Sequence, residues 1–265
     1  MVVSILGCGW YGKAVAVTLI AKGISVKGSA MSPDKMPPLF SLGILPYVVG
    51  FDADSQSFDP AFFECDVLII SITPKFRKGE GDDYLPKIQH IIQTIRESTV
   101  KKVIYISSTG VYGDHNSEVD ESDSPQPDTP SGEILLDAEK LFSAETAFKT
   151  TIIRFGGLVG AGRDPGRFFA RKTAIPNGLV PVNLIHLNDC IGITQAIIDH
   201  DAFGYLFNAC SPYHPRKADF YREASLRSEL PLPEFIDELG NWKLINSVNL
   251  DRILGYQFKS RLMDD

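Results

Sequence analysis

Residues 2–12 read VVSILGCGWYG, an apolar strand-like run that passes directly into a glycine turn. Gly7, Gly9 and Gly12 have the spacing GxGxxG, and a helix-like stretch continues from them to about Lys22. Glycines at these positions let the backbone approach a pyrophosphate, and the helix N-terminus offers free N–H groups to that anion. Because strand, turn and helix come in this order, the stretch predicts a dinucleotide-binding turn rather than a tight connection that binds nothing.

Apolar strand-like runs alternate with helix-like segments along most of the remaining chain. The predicted strands are residues 24–27, 45–49, 66–72, 102–107 and 151–155. Residues 82–98 predict an amphipathic helix, because isoleucines recur there at intervals of three and four residues. Continuously apolar strands separated by helices are typical of a parallel sheet covered on both faces. The predicted fold class is therefore α/β, a Rossmann-type doubly wound, mostly parallel sheet with a small C-terminal lobe.

Two parts of unequal character make up the predicted domain organisation. Residues 1–155 are expected to form the NAD(P)-binding Rossmann core, which residues at about 183–209 complete. Residues 156–265 are expected to supply the substrate-side segments and the small C-terminal lobe, because the chain becomes more polar from about Arg216 onward.

Composition and charge exclude several classes of partner. The chain has 265 residues and a net charge of −7, so no broad basic surface is available for nucleic acid. Its four cysteines are widely spaced, which predicts buried thiols in a reducing compartment rather than a metal site. No apolar run reaches membrane-spanning length, so we expect a cytoplasmic protein without a membrane partner. The expected partner is a small-molecule substrate, and the oligomeric state stays open, with a homodimer as one option.

The end of the second strand bears on which dinucleotide binds. Residues 27–32 contain no carboxylate for the adenosine ribose, whereas the hydroxyl of Ser29 tolerates a 2′-phosphate. No arginine is present there to clamp that phosphate, so NADP is favoured only slightly over NAD. The residues predicted to bind the cofactor are Gly7, Gly9, Trp10, Tyr11, Gly12, Ser29, Asp52, Ser71, Thr73 and Ser107.

Several strings in the chain resemble a known family. Residues 106–113, ISSTGVYG, resemble the SSxxVYG element of the extended short-chain dehydrogenases/reductases, the superfamily of nucleotide-sugar epimerases and dehydratases. Further resemblances lie at residues 154–160 (to RxxxxYG), 184–189 (to FIHVDD) and 206–208 (to the YN strand). Together they cover roughly residues 1–210. The strings SSTGVYG, SGEILLDAEKLF and GLVGAGRDPGRFFARKTA are similar to the YeeZ-like group of atypical members.

The resemblance implies a catalytic pair that this chain lacks. Active members carry Tyr-x-x-x-Lys, in which the Tyr is the general acid/base and the Lys binds the nicotinamide ribose. Ser108 matches the family's substrate-orienting Ser or Thr, and Glu139 matches the Glu four residues beyond the Lys. Counting back from Glu139 puts Leu135 at the Lys position and Ser131 at the Tyr position. The glycine turn is also one residue shorter than the family's usual GxxGxxG.

Three residues are candidates for the missing chemistry: Ser108, Ser131 and Tyr112. Ser131 has no evident base beside it, so the interpretation as a helix N-terminal serine is favoured over a general acid. Tyr112 could supply a phenol, although the family uses that position for packing. Leu135 belongs to an apolar stripe and is expected in the core.

The segment after the strand 151–155 is the predicted substrate side. Arg163 and Arg167 lie in a basic stretch of an acidic chain, and together with Thr109 they are predicted to bind the substrate. A solvated helix face explains these arginines equally well. His186 is expected to be a hydrogen-bonded core residue, and Asp189 the N-cap of a helix at 190–199.

Two functions follow from the sequence. The leading hypothesis is an atypical NAD(P)-dependent reductase or epimerase/dehydratase-like enzyme that acts on a small polar, anionic substrate resembling a sugar or nucleotide-sugar. The alternative is a catalytically silent NAD(P)-binding protein that senses cofactor state or binds a partner.

Overall fold

Residues 1–74 and 83–264 are described by the computed structural model, and strands and helices alternate along them. The strands are β1 (Val2–Leu6), β2 (Ser25–Ala30), β3 (Leu45–Phe51), β4 (Gln56–Phe58), β5 (Val67–Ile70), β6 (Lys102–Ser108), β7 (Ser117–Val119), β8 (Lys149–Phe155), β9 (Gly157–Val159), β10 (Leu184–His186), β11 (Leu206–Ala209) and β12 (Lys243–Ile245). The helices are α1 (Trp10–Ala21), α2 (Met36–Phe40), α3 (Tyr84–Arg96), α4 (Pro130–Ser143), α5 (Gly166–Phe169), α6 (Leu187–Asp199), α7 (Lys217–Arg227) and α8 (Val248–Leu254).

The central feature is an eight-stranded sheet in the order β11-β8-β6-β5-β1-β2-β3-β4. Every neighbouring pair runs parallel except β3 with β4, which is antiparallel. The chain moves outward from β1 to β2 and β3 and later crosses to β5, so the strand order reverses beside β1. Doubly wound folds bind ligands at this switch point, beyond the carboxyl ends of the strands. The predicted Rossmann-type fold class is confirmed.

Both faces of the sheet are covered by apolar clusters. One cluster joins the sheet to α1 and α6, and the other joins it to α3 and α4. The four residues of β5 are all buried, because a central parallel strand contacts helices on both faces. Each fully buried Leu or Ile contributes about 1.5–3 kcal/mol to folding, so this strand alone is a large source of stability.

Helix α3 is the amphipathic helix that the isoleucine spacing predicts. Ile88, Ile91, Ile92 and Ile95 are all buried against the sheet. The predicted start at Asp82 lies outside the described residues. No helix among residues 1–74 and 83–264 is both long and apolar enough to cross a membrane.

Two pairs of short strands lie outside the central sheet. Strands β9 and β10 pair in parallel, and so do β7 and β12. A third, smaller apolar cluster lies around α5 and α7 and includes Phe220 and Phe235.

The predicted N-cap of α6 is wrong. The helix begins at Leu187, and His186 caps it because its Nδ1 accepts the N–H of Asn188 at 3.2 Å. Asp189 instead is buried in the first turn, where its carboxylate accepts the Tyr256 hydroxyl at 2.8 Å and the backbone N–H of Lys259 at 2.9 Å. The carboxylate therefore fastens the C-terminal segment, a partner that lies about 70 residues away in sequence. His186 is a buried, hydrogen-bonded residue, as predicted.

Candidate cofactor and substrate site

The residues predicted to bind the cofactor lie at or just after the carboxyl ends of β1, β2, β3, β5 and β6. These strands are mutually parallel in one sheet, so their carboxyl ends share one edge. Asp52 and Thr73 are exposed on that edge, after β3 and β5 respectively. The two positions are thus open to a ligand, and their role in binding it stays a prediction.

The glycine turn after β1 is compact, and two of its glycines are required by close contacts. Gly7 has φ +91°, and a Cβ there would lie 2.4 Å from the carbonyl oxygen of Ser71. A Cβ on Gly12 would lie 2.9 Å from the carbonyl oxygen of Gly7, because the first turn of α1 packs directly on the strand end. The turn is further held by the Gly7 N–H, which donates to the Ser29 hydroxyl at 2.8 Å. Ser29 and Ser71 therefore shape the turn from both sides of β1.

Gly9 differs from the other two glycines because it borders open space. A Cβ there would meet nothing closer than the carbonyl oxygen of Gly7 at 4.0 Å. The next residues, beginning with Trp10, form the first turn of α1, and within the described residues no side chain caps this helix. First-turn N–H groups have no intrahelical acceptor, so this end of α1 presents donors to an anion. An open glycine beside uncapped donors fits a dinucleotide pyrophosphate.

The side chain of Tyr11 does not share this open space. It is buried, its hydroxyl forms a 2.6 Å hydrogen bond with Thr194 of α6, and its ring packs edge-on against Phe155. Of the polar groups of Tyr11, only the backbone N–H is therefore able to bind a cofactor. Cys8 is buried too, and a Cβ on Gly28 of β2 would lie 3.0 Å from its sulfur.

The turns that carry Ser108 and Ser131 pack against each other through a glycine contact. Ser108 ends β6, and its hydroxyl oxygen accepts the Gly110 N–H at 3.1 Å. A Cβ on Gly132 would lie 2.3 Å from the carbonyl oxygen of Gly110, so the first turn of α4 is pressed against the turn that follows Ser108. Ser131, half-buried, precedes Gly132 in this helix turn. Both hydroxyl side chains thus lie on adjoining turns at the carboxyl edge.

Leu135, one helical turn beyond Ser131, is a core residue. It is 7% exposed and belongs to the apolar cluster between α4 and the sheet. The position that the family resemblance assigns to lysine is therefore packed with hydrocarbon.

Tyr112 is engaged in a buried network, which speaks against the predicted catalytic role. Its hydroxyl accepts from Arg154 at 2.6 Å and lies 2.9 Å from the carbonyl oxygen of Asp120 and 3.2 Å from Oδ1 of Asn208. The Arg154 guanidinium also stacks over its ring at 4.9 Å. Burial raises the pKa of Tyr112 above its ordinary value. A general acid must reach the substrate, and this phenol is enclosed.

Ser107 belongs to the same network and not to the open edge. Its hydroxyl donates to the Glu139 carboxylate at 2.5 Å, and Arg154 binds both oxygens of that carboxylate at distances from 2.6 to 3.1 Å. All three side chains are buried. The cofactor-binding role predicted for the Ser107 side chain is therefore disfavoured. The resemblance singles out Glu139 but not its partner Arg154. The two residues lie 15 positions apart, one on a helix and the other on a strand, so no local sequence pattern links them.

Arg163 lies beside the glycine turn. Its guanidinium stacks 4.4 Å over the ring of Trp10, and the Trp10 indole N–H donates to the carbonyl oxygen of Ala161 at 2.7 Å. A tight turn closes this loop, since the Arg163 N–H donates to the Gly160 carbonyl oxygen at 2.7 Å. Sequence reasoning placed Arg163 with the substrate and missed its contact with Trp10.

The other two residues predicted to bind the substrate are placed differently. The Arg167 side chain is 80% exposed and lies 3.6 Å from Asp164, three residues earlier. Arg167 therefore fits the interpretation as part of a solvated helix face better than a shared anion site with Arg163. Thr109 is buried directly after Ser108.

Metal chemistry and cavities give no competing site at this edge. Within residues 1–74 and 83–264, no group of three or more His, Cys, Asp or Glu side chains could hold a metal ion. A cavity of about 460 Å³ lies instead at the amino ends of the strands, where its lining includes Val2, Asp66 and Lys102. That edge is opposite to the one where doubly wound folds bind ligands, so the glycine turn at the carboxyl ends of the strands is the better candidate.

The parallel sheet, its switch point and the uncapped glycine turn define a dinucleotide-binding protein of the Rossmann class. The sequence profile described as NAD(P)H-binding matches residues 7–181. The chain belongs to this NAD(P)H-binding family.

Particular relatives support that assignment. Protein YeeZ of Escherichia coli strain K12 is 35% identical over 264 residues, which span 97% of this chain and 95% of that protein. UDP-glucuronic acid 4-epimerase from Bacillus cereus, solved with NAD, superposes with a TM-score of 0.80 at 17% identity, covering 100% of this chain and 95% of its own. A short-chain dehydrogenase/reductase superfamily protein from Agrobacterium tumefaciens with bound NAD gives 0.79 at 16% identity, covering 99% and 94%. At such identities the two structures establish the fold alone.

Proposed function

We propose that the protein is an NAD(P)-dependent oxidoreductase of the epimerase/dehydratase type that works without a Tyr-x-x-x-Lys pair. Its substrate is small, polar and anionic, of the sugar or nucleotide-sugar kind. The observation that carries the proposal is the contact between Gly132 and Gly110, which sets Ser131 and Ser108 on adjoining turns beside the cofactor edge. The sugar-nucleotide substrate of the Bacillus cereus epimerase supports the substrate class.

The role we assign to Ser108 follows from its hydrogen bond. Its oxygen already accepts the Gly110 N–H, so the hydroxyl proton is free to be donated to a substrate carbonyl or hydroxyl. Bound NAD(P) supplies the hydride acceptor or donor. Ser131 is a weak general acid, and a positioned acid/base contributes on the order of 10²–10⁴-fold, so turnover should be slow for the superfamily.

NADP is proposed over NAD. The end of β2 carries no carboxylate for the adenosine ribose, and the Ser29 hydroxyl, which accepts the Gly7 N–H, keeps its proton to donate to a 2′-phosphate. The next carboxylate in sequence, Asp34, is 3.2 Å from the Lys35 ammonium and also accepts a hydrogen bond from Ser32. A carboxylate held in this way is less available to a ribose hydroxyl. The ratio of the two dissociation constants, measured by calorimetry, tests this preference.

The experiment that tests the function is hydride transfer by Ser108→Ala, measured with NADP and a panel of UDP-sugars and sugar phosphates. We expect a loss of about 10²-fold in kcat with an unchanged dissociation constant for the cofactor. Ser98→Ala is the matched control, because the Ser98 hydroxyl likewise accepts the N–H two residues ahead, at 3.2 Å from Val100 N. Equal turnover in both variants would contradict a role for Ser108 in the reaction.

A second function is favoured by the surroundings of α4. Leu135 is a core residue, and the Tyr112 phenol is enclosed, so neither position supplies the chemistry of active relatives. This pattern suits a catalytically silent NAD(P)-binding protein that senses cofactor state or binds a partner. Cofactor binding without hydride transfer on any member of the panel would favour this function over the first.

A further inference from the structure

We propose that Arg163 and Trp10 form a clasp over the pyrophosphate of the cofactor, so that Arg163 is a cofactor-positioning residue rather than a substrate ligand. The clasp consists of Trp10, Ala161 and Arg163, and it closes the loop after β9 onto the first turn of α1. The inference rests on cofactor binding, which family membership establishes, and goes beyond it by assigning residues outside the glycine turn.

The position of Trp10 carries the first step. Trp10 is the first residue of α1, at the uncapped end that presents backbone N–H groups beside Gly9. The hydrogen bond from its indole N–H to the Ala161 carbonyl oxygen, 2.7 Å long, fixes the ring against a loop about 150 residues later in the chain. The loop is therefore fastened at the helix end where a pyrophosphate is expected.

The charge of Arg163 carries the second step. Its guanidinium lies 4.4 Å from the Trp10 ring, which brings a cation to the same helix end. Within residues 1–74 and 83–264, no carboxylate comes within ion-pair distance of it, whereas Arg167 has Asp164. A guanidinium held over an aromatic ring keeps N–H donors in a planar fork, which suits two oxygens of a phosphate.

The backbone of the loop carries the third step. Gly160 and Gly162 have φ of +132° and +77°, values that side chains rarely adopt. A Cβ on Gly162 would in addition lie 3.5 Å from the Trp10 indole nitrogen. These glycines let the loop turn back sharply over Trp10. The close approach is therefore built into the loop and does not depend on Arg163 alone.

The test compares two arginines and three ligands by calorimetry. ADP-ribose contains the cofactor pyrophosphate, whereas adenosine lacks it. We expect Arg163→Ala to weaken ADP-ribose and NADP by roughly ten- to hundredfold and to leave adenosine within about twofold. Arg163→Lys, which keeps the charge but loses the planar fork, should fall between wild type and alanine. Arg167→Ala, the matched control with the same loss of charge, should bind all three ligands as wild type does.

A double-mutant cycle tests the clasp itself. Trp10→Ala should weaken ADP-ribose as well, and its combination with Arg163→Ala should cost less than the two single losses together, because each removes the same contact. Arg163→Gln gives the same readout should the alanine variant fail to fold.

Two results would overturn the proposal. One is an unchanged dissociation constant for ADP-ribose in both Arg163→Ala and Arg163→Gln. The other is an equal loss in Arg163→Ala and Arg167→Ala, which would reflect general charge. A wild-type protein that binds neither NAD nor NADP would contradict the cofactor assignment itself, so the two failures are distinguishable.

Discussion

The first turns of α1 and α4 pack on the sheet in the same way but are capped differently. Each is pressed through a glycine onto a backbone carbonyl at the same edge of the sheet: Gly12 onto Gly7, and Gly132 onto Gly110. In α4 the Thr129 hydroxyl accepts the Gly132 N–H at 3.1 Å, so part of the helix end is satisfied from within the chain. In α1 no side chain among the described residues does this.

This difference in capping indicates which of the two helix ends is open to a ligand. An uncapped helix end leaves free donors, a cost that a bound anion offsets. A capped end lowers the free energy of the folded chain by about 1 kcal/mol without any ligand. The α1 end thus leaves donors for an anion, whereas the α4 end is satisfied in part from within the chain.

Removing the Glu139 carboxylate should give the largest effect, because this carboxylate forms the buried ion pair between α4 and Arg154 of the sheet. Glu139→Ala leaves the Arg154 guanidinium buried without its partner, and we expect a loss of about 3–5 kcal/mol in the free energy of unfolding. Urea denaturation measures it. Glu223→Ala breaks an exposed pair with Arg227 and should cost less than about 1 kcal/mol. Comparable losses in the two variants would show that the buried network is not a main support of α4.

Introducing the Tyr-x-x-x-Lys pair that the resemblance implies tests whether α4 can support catalysis. Leu135→Lys buries an ammonium in an apolar cluster, so we expect a loss of more than about 2 kcal/mol in unfolding free energy. Leu136→Lys, at a half-buried position next to it, should lose less than half as much. Adding Ser131→Tyr to Leu135→Lys should not bring turnover to the level of ordinary epimerases. A stable and active double variant would show that the helix is a catalytic one with two residues missing.

Replacing Gly9 tests whether the first turn of α1 binds the cofactor. Gly9→Val fills the open space beside the helix end and should weaken NADP by about a hundredfold, with little change in melting temperature, since its Cβ meets no close neighbour. Gly12→Ala is the informative partner, because its Cβ would lie 2.9 Å from a backbone oxygen and should cost stability instead. Calorimetry and thermal denaturation separate the two effects. Unchanged NADP affinity in Gly9→Val would remove the glycine turn from the cofactor site.

The sequence predicts those parts of the fold that local patterns encode. The strand and turn of residues 2–12 and the isoleucine spacing in α3 identify their elements correctly, because burial of one face requires that spacing. The same holds for Leu135, whose apolar stripe places it in the core.

Non-local contacts are what the sequence does not reveal. Strand β7 lies in a stretch that reads as irregular, and it pairs with β12, which follows more than 120 residues later. Three-residue strands carry too little periodicity to be recognised alone. The contact between Arg163 and Trp10 has the same cause, since nothing near either residue indicates the other. The Asp189 error differs: an acid before an apolar run is a fair cap signal, but here it binds the distant backbone of Lys259.

The sulfur packed against Gly28 gives the glycine turn a chemical property of its own. Burial raises the pKa of Cys8 to about 11, so at neutral pH roughly one thiol in ten thousand is ionised. Thiolates, not thiols, react with peroxide, disulfides and alkylating agents. The cofactor turn therefore contains a cysteine whose thiol resists ionisation, and we expect this thiol to react slowly with oxidants and alkylating agents.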